Sequence, residues 1–277
     1  HQITHFISDS IISSPQFFTE VLAKAFALRY LHLNVDHPTD GERRALAELG
    51  NTIVLDQLEF LSLVFEKLFD EDEGEIGGIF YPTFWDKFEF PNLKGLRLRT
   101  SYLEMFPDAG PAFLGKLSQF QKVDYLSVGF DDDDGFEVLE ELSVALPNVT
   151  TLDLQFEPGY YQFFQELSRI REEDPPRAFP NLREIAVEDG RWEGLGEYLD
   201  GATELRRMVV YANREGQFQD DEELVQQARE YGGDKFEVER RLVRKERHQK
   251  LSDCWWVHRD AWLQNWVEVA ELWAIKT

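Results

Sequence analysis

The most regular feature of the hydrophobic pattern is a short phrase that returns along the chain. The stretches FPNLKGLRL (90–98), LPNVTTLDL (146–154) and FPNLREIAV (179–187) share their apolar positions. The looser pattern apolar-x-x-apolar-x-apolar occurs seven times, starting at Leu28, Leu58, Leu93, Val123, Val149, Leu182 and Leu205. A phrase that returns every 23 to 35 residues predicts a structural unit that is built repeatedly.

Each unit is predicted to contain one short strand and, in several cases, one helix. The last two apolar positions of each copy alternate with polar residues, as in a strand with one buried face. Three amphipathic stretches between copies predict helices, at residues 14–27, 135–146 and 160–173. In the third, Phe163, Phe164, Leu167 and Ile170 follow the helical period on one face. Pro-Asn before the next strand ends the helix, because a residue before proline avoids helical geometry.

Repeated strand–helix units predict an α/β leucine-rich-repeat solenoid, with a parallel sheet on the concave face and helices on the convex face. An ordinary α/β fold with a parallel sheet is the alternative. The solenoid is assigned to residues 1–216, with about seven irregular repeats. Its central apolar residues are expected to align in a single parallel ladder: Leu31, Leu61, Leu96, Leu126, Leu152, Ile185 and Met208.

Residues 217–277 are predicted to form a helical, Trp-rich C-terminal cap. Residues 220–232 and 235–250 have helical patterns, the second rich in charge pairs four residues apart, such as Glu237 with Arg241. Further on, four tryptophans fall along one helical stripe: Trp255, Trp262, Trp266 and Trp273. The stripe is interpreted as burying the open end of the last repeat. Docking of a partner or of a second copy is the alternative.

Composition narrows the classes of partner. The chain has 53 acidic and 29 basic residues, a net charge of -24, which argues against nucleic acid and anionic membranes and leaves basic proteins as partners. The chain contains no run of 18 apolar residues, so no transmembrane helix is expected. A single cysteine, Cys254, favours a reducing compartment, so the protein is expected inside the cell, in the cytoplasm or nucleus.

The motifs of common enzymes and cofactor sites are missing from the sequence. We find no P-loop, dinucleotide fingerprint or nucleophile elbow, so neither catalysis nor a cofactor is expected. His32 and His37 flank Asp36, but no further ligands follow at zinc spacing, so no metal is expected either. Cys254 is interpreted as a packed residue, and a Cys/His pair with His258, four residues later, is the alternative. An enzyme is the third and least favoured functional hypothesis.

Partner binding is expected on the concave face and its rim. Because strand side chains alternate, the residues between the buried positions are predicted to point away from the core. The candidate partner-binding residues are Tyr30, His32, Phe60, Arg97, Arg99, Tyr125, Asp131, Asp132, Asp133, Asp134, Asp153, Glu184, Arg207 and Tyr211.

Several of these candidates have two interpretations. The two arginines of the third unit, Arg97 and Arg99, either pair with an acidic or phosphorylated group or are neutralised by nearby carboxylates. The run of four aspartates at 131–134 is either a solvated turn or a docking site for a basic partner. Between 66 and 91, the aromatic residues Phe84, Trp85 and Phe88 either pack on the convex side or anchor a partner.

The uneven units resemble the repeats of F-box/leucine-rich-repeat proteins, especially the divergent fungal kind. The resemblance covers roughly residues 15–215 and rests on the Phe-Pro-Asn-Leu turns, the convex-side helices and the Asn that is missing after every strand but the last. At that position the chain has Asp36, Glu66, Ser101, Asp131, Glu157, Gly190 and Asn213. The resemblance implies the substrate-binding arm of a ubiquitin-ligase adaptor. The F-box itself, which binds a Skp-type linker in that family, is expected upstream of residue 1.

Two interaction hypotheses follow. The first is a non-catalytic protein-interaction scaffold, as the receptor arm of an F-box-type adaptor. The second is a free-standing acidic repeat protein that binds or chaperones a basic client such as a histone or ribosomal protein. The second role is similar to that of the acidic leucine-rich nuclear phosphoproteins.

Overall fold

The computed structural model describes residues 3–12, 17–35, 50, 52–65, 87–100, 115–130, 135–156, 163–173, 179–188, 195–202, 204–212, 226, 229–230 and 237–242. Its strands are β1 (His5–Ile12), β2 (Tyr30–Val35), β3 (Ile53–Val54), β4 (Phe60–Phe65), β5 (Phe88–Glu89), β6 (Gly95–Thr100), β7 (Tyr125–Phe130), β8 (Thr151–Phe156), β9 (Glu184–Glu188), β10 (Arg207–Ala212) and β11 (Glu237–Leu242). Its α-helices are α1 (Gly135–Ala145), α2 (Phe163–Glu173) and α3 (Leu195–Gly201).

Nine of these strands form one parallel sheet. Their order is β1-β2-β4-β6-β7-β8-β9-β10-β11, and every neighbouring pair is parallel. The short strands β3 and β5 form a separate parallel pair. The order follows the chain without reversal, whereas a doubly wound sheet reverses at a switch point. The fold is therefore α/β with a large parallel sheet, and its strand order is consistent with a solenoid-like arrangement.

The predicted apolar ladder is confirmed residue by residue. The seven central residues are register partners from strand to strand, and all are 0% exposed: Leu31, Leu61, Leu96, Leu126, Leu152, Ile185 and Met208. β1 and β11 extend this column with Phe6 and Val238. The sequence pattern therefore identified seven of the nine strands in the described sheet.

The same turn leads into the strand of every predicted unit. The N–H of the first apolar residue donates to the carbonyl three residues earlier, at 2.9 to 3.3 Å in all seven copies. In the units with Pro-Asn, the Asn side chain donates to a backbone carbonyl of the preceding unit. These bonds run from Asn92 to Asp56 (2.7 Å), from Asn148 to Gln121 (3.0 Å) and from Asn181 to Pro147 (2.9 Å). The Asn residues thus link the units before the strands, not after them.

The helices bury their apolar stripes with one face of the sheet. Leu139 and Leu142 of α1, with Phe164 and Leu167 of α2, belong to the same buried cluster as the leucine column. The predicted helices at 135–146 and 160–173 are confirmed over Gly135–Ala145 and Phe163–Glu173. The side chain of Phe163 lies outside the described residues. We call this side of the sheet the aliphatic face.

Two helix predictions need correction. Within 14–27 the described chain forms only a π-helical turn, Phe17–Val21, and a 3-10 turn, Leu22–Lys24. Residues 237–242 of the expected second C-terminal helix form β11, which pairs with β10. Glu237 and Arg241 therefore lie along a strand, and the parallel sheet continues beyond the predicted boundary at residue 216. Val238 alternates with charged residues, and this local pattern suits a strand as well as a helix. The backbone pairing of residues 237–242 with β10 favours the strand.

The structure describes few of the residues in the other C-terminal predictions. Gln226, Arg229 and Glu230 are helical, as expected for 220–232. The tryptophan stripe lies outside the described residues, as do Cys254, Phe84 and Trp85. Phe88, in β5, is fully buried and belongs to the aliphatic core. No helix in the described ranges is long and apolar enough to cross a membrane.

Candidate functional site

The predicted concave-face residues lie in rows across the sheet, on the side opposite the aliphatic face. Side chains alternate along a strand, so the residues on either side of Leu31 point away from it. One row, which we call the polar row, joins five consecutive strands in register: His32, Ser62, Arg97, Ser127 and Asp153. The row two residues earlier, the aromatic row, contains Tyr30, Phe60, Gly95 and Tyr125.

Most of these side chains are buried, which corrects the expectation that they face solvent. The candidates with exposures of 3% or less are Tyr30, His32, Phe60, Arg97, Tyr125 and Asp153. A leucine-rich solenoid was expected to leave its concave side open, but here both sides of the sheet are buried in the strands from β2 to β8, as is usual for parallel sheets. These residues therefore offer a partner no accessible surface in this state of the protein.

At one end of the polar row, a serine hydroxyl connects a histidine and an arginine. Ser62 Oγ lies 2.8 Å from His32 Nδ1 and accepts a hydrogen bond from Arg97 Nη1 at 3.4 Å. Burial, with a smaller contribution from the positive charge of Arg97, lowers the pKa of His32 to about 3. The imidazole is therefore neutral at physiological pH.

At the other end, a buried carboxylate collects hydroxyl donors. Asp153 Oδ2 accepts hydrogen bonds from Tyr125 OH at 2.9 Å and from Ser127 Oγ at 3.4 Å. Two strand spacings separate Asp153 from Arg97, roughly 10 Å between backbones. The row thus contains one carboxyl group and one guanidinium group, with a serine between them. Both groups make hydrogen bonds, as buried polar groups require.

The aromatic row packs through a gap that a glycine leaves. The rings of Tyr30 and Phe60 stack with centroids 4.8 Å apart. Phe60 and Tyr125 belong to β4 and β7, which flank β6, yet their ring centroids are only 6.1 Å apart. Gly95 of β6 is the register partner of both, and its missing side chain lets the two rings meet.

The candidates of the later strands are only partly buried. Arg207 of β10 has Glu184 and Glu237 as register partners, and it forms ion pairs with Glu237 at 3.7 Å and with Glu239. Its side chain is 26% exposed, and Glu184 is half-buried. Arg99 is also half-buried, near the carboxyl end of β6. Arg207 is thus paired with neighbouring carboxylates, whereas the two interpretations of Arg97 and Arg99 stay predictions.

The remaining candidates lie wholly or partly outside the described residues. Asp131, Asp132, Asp133 and Asp134 are among the positions that the structure does not describe. Tyr211 belongs to β10, but its side chain is outside the described set. Their assignment to partner binding stays a prediction.

The arrangement does not assemble a nucleophilic triad from the buried histidine, serine and aspartate. His32 and Asp153 lie in β2 and β8, with three strands between them, so roughly 19 Å separates their backbones. A triad needs hydrogen-bond contact between its members. Within the described ranges, no group of three or more His, Cys, Asp or Glu side chains is placed to hold a metal ion.

The kinds of residue at the interleaved positions indicate that this side of the sheet is buried, although their periodicity alone does not. The interleaved positions of the central strands hold small or aromatic residues, such as Ser62, Gly95 and Ser127, where an open surface usually carries long polar side chains. Ser62 and Ser127 were not among the candidates, yet both contribute hydrogen bonds to the polar row.

Comparison with known proteins adds little to this picture. No protein-family model matches the chain, and no curated protein matches it. Among solved structures, a crystal structure of a protein from Bacteroides fragilis is similar to it at 13% identity and a TM-score of 0.39. That similarity covers 82% of this chain and 69% of the other. At this level it contributes nothing to the assignment of fold or function.

Proposed function

We propose that this chain is a leucine-rich-repeat solenoid that acts as a non-catalytic scaffold for protein recognition, as the substrate-binding arm of an F-box-type ubiquitin-ligase adaptor. The observation that supports it most is the repetition of one turn and one apolar column through seven units of a single sheet. Units that contact only their neighbours build an elongated scaffold, which suits the binding of proteins. Such a role belongs inside the cell, in the cytoplasm or nucleus.

On this proposal, a partner binds outside the polar and aromatic rows. The polar and aromatic rows are covered, so recognition falls to the half-buried candidates and to the residues that follow the strands. Arg99 is the half-buried arginine near the carboxyl end of β6. Loops at one end of a rigid scaffold commonly carry binding residues.

The adaptor role is tested with the full-length protein and a purified Skp-type linker. We expect a stable complex in gel filtration, together with co-purification of a cullin from cells. Absence of a complex with the linker would reject the adaptor role and leave a scaffold of another kind.

Partner binding is then tested by charge reversal at opposite ends of the strands. A binding partner is first identified by cross-linking to the wild-type chain. Arg99→Glu is then expected to weaken the capture of that partner at least tenfold. The matched control is Arg183→Glu, because Arg183 is exposed just before the amino end of β9. Equal effects of both variants would indicate a general response to charge and contradict binding at the carboxyl ends.

The charge distribution favours a second candidate, an acidic repeat protein that binds a basic client. The described residues include 16 basic and 21 acidic side chains of the 29 and 53 in the chain. The stretches outside them therefore hold 13 basic and 32 acidic residues, which is most of the net charge of -24. A surface rich in one charge attracts the opposite charge and loses that attraction in salt.

This candidate predicts salt-sensitive binding of histones or ribosomal proteins by the isolated chain. Changing Asp131, Asp132, Asp133 and Asp134 to Asn is expected to weaken binding more than neutralising the equally acidic control run Asp70, Glu71, Asp72 and Glu73. Binding that survives 0.5 M salt, or that falls equally in both variants, would contradict a docking site at 131–134.

A further inference from the structure

Two neighbouring rows on the face opposite the aliphatic face are buried across most of the sheet. The polar row continues from Asp153 to its register partners Ala186 of β9 and Val209 of β10, and each member from β2 to β10 is at most 3% exposed. The aromatic row is buried as well, on β2, β4, β6 and β7. Arginine is rarely buried completely, yet Arg97 in the middle of the polar row is 1% exposed. A layer of protein therefore lies over the two rows.

The described helices and short strands pack on the other face of the sheet. They contribute buried side chains to the cluster around the leucine column, among them Leu22 of the 3-10 turn, Phe88 of β5, Leu139 of α1, Phe164 of α2 and Tyr198 of α3. Phe60, Tyr125 and Val209 of the two rows are buried outside that cluster. The layer over the two rows is therefore supplied by a part of the chain beyond the described ranges.

The shape of the buried area fits one helix that lies across the strands. The two rows are two residues apart along each strand, which is roughly 7 Å, whereas Val64 and Arg99 of the next row are half-buried. A helix with its side chains is about 10 Å wide, enough to cover two such rows but not three. Across the sheet, β2 and β10 are six strand spacings apart, which is roughly 29 Å.

The C-terminal residues contain an apolar stripe of matching length. The four tryptophans from Trp255 to Trp273 fall on one face of the predicted helix, and the 18 positions between the first and the last span about 27 Å. Tryptophan buries a large apolar area and packs well against other aromatic rings, such as those of Tyr30, Phe60 and Tyr125. The stripe therefore matches the covered rows in both length and chemistry.

The position of these tryptophans in the chain also favours them. They follow β11, the strand beside β10, after a connection at 243–253 that is long enough to turn back over the sheet. The connections between the strands join neighbouring units, so each of them would have to cross the sheet and return. A terminal segment needs to cross it only once.

We propose that residues 254–276 form a helix that lies across the polar and aromatic rows as an intramolecular strap, with Trp255 near β10 and Trp273 near β2. This position differs from a cap on the open end of the last unit. The strap withholds the two rows from partners, and its release would add them to the binding surface. Only this regulatory consequence rests on the proposed function.

Photo-crosslinking of the whole chain tests the position of the strap. With p-benzoylphenylalanine in place of Trp273 we expect crosslinks to peptides of β2 or β4, and in place of Trp255 crosslinks to peptides of β9 or β10. The matched control has the same group in place of Trp256, which is adjacent to Trp255 but off the stripe, and should give far fewer of these crosslinks. Crosslinks from position 273 to β11, to the aliphatic face or to a second copy would overturn the proposal.

A dye-binding measurement then tests whether the strap covers the rows. In the full chain, Trp262→Ala combined with Trp266→Ala is expected to raise the fluorescence of a hydrophobic dye roughly threefold or more, with unchanged far-ultraviolet circular dichroism. Trp256→Ala should match wild type. An unchanged dye signal in the folded double variant would overturn the strap, and if that variant does not fold, the crosslinks decide. Failure to bind the Skp-type linker would instead reject the adaptor role and leave the strap in place.

Discussion

In the central strands both faces of the sheet are buried, but the two faces are specified in different ways. On the aliphatic face every central strand contributes the same kind of residue at the same place, such as Leu61, Leu96 and Leu126. On the other face each strand contributes a different group, and Arg97 lies between two serines. Repetition thus encodes the stacking of units, whereas the polar row depends on particular pairs of residues on neighbouring strands.

This difference has an energetic consequence. An aliphatic side chain contributes through the area that it buries, so similar side chains can replace it at small cost. A buried polar group contributes through its particular partners, and losing one partner leaves the other unsatisfied. The polar face is therefore expected to be the less tolerant of the two.

The largest expected effect is the removal of the buried carboxylate. Asp153→Ala removes the acceptor of the Tyr125 and Ser127 hydrogen bonds. We expect the free energy of unfolding to fall by about 2–6 kcal/mol, because a buried donor that loses its acceptor costs about 1–3 kcal/mol and two donors are affected. Urea denaturation at pH 7 measures this change. Asp153→Asn keeps an acceptor oxygen and should lose less, and a loss under about 1 kcal/mol in Asp153→Ala would contradict the importance of these buried hydrogen bonds.

On the aliphatic face, truncation is expected to be costly and conservative exchange mild. Leu126 is fully buried in the central strand β7. Leu126→Ala should lower the free energy of unfolding by about 3 kcal/mol, through lost burial and the cavity that remains. Leu126→Met, which nearly conserves volume, should cost less than about 1.5 kcal/mol. If the methionine variant were as unstable as the alanine variant, the proposed tolerance of this face would be wrong.

The difference between the faces also explains how much of the fold could be predicted from sequence. The leucine column and its seven strands follow from periodicity, because each unit repeats the same burial. β1 and β11 were missed for lack of the full apolar phrase, since Phe6 and Val238 each extend the column with a single central residue. Their assignment depends on lateral pairing with β2 and β10, which is not a property of the local sequence.

The site was predicted less well than the fold, for a related reason. Alternation placed Tyr30, Arg97 and Asp153 on the correct side of the sheet, but it cannot tell whether that side is covered. Whether one side of a sheet is buried depends on contacts between residues that are far apart in the sequence. The hydrogen bond from Tyr125 to Asp153, for example, joins residues 28 positions apart. The identity of the lateral neighbour decides whether a polar residue is a surface contact or a buried partner.

A smaller effect is expected for the Asn side chains that link the units. Asn148 is exposed and donates to the Gln121 carbonyl at 3.0 Å. Asn148→Ala should reduce the free energy of unfolding by about 1 kcal/mol, the net contribution of one hydrogen bond. Gln57 is exposed at the equivalent position of the β4 unit and makes no side-chain hydrogen bond among the described residues, so Gln57→Ala is the matched control. Equal losses in thermal denaturation of both variants would show that the Asn bond contributes nothing of its own.

The smallest expected effect lies at the exposed amino ends of the strands, where the charges are matched laterally but solvated. Burial raises the pKa of Glu59, but the hydrogen bonds and charges of Arg29 and Lys94 outweigh it and lower the pKa overall. The stabilisation is therefore present above the usual pKa of a glutamate and is lost as the pH falls through the lowered value. Because the side chain of Glu59 is 31% exposed and those of Arg29 and Lys94 are 53% and 50% exposed, Glu59→Gln should change the free energy of unfolding by about 1 kcal/mol or less at low salt and by less still in 0.5 M salt. A larger loss that persists in high salt would mean that the ion pairs of Glu59 stabilise the protein as strongly as the hydrogen bonds of the buried polar row. The expected difference between exposed and buried pairs of neighbouring strands would then be wrong.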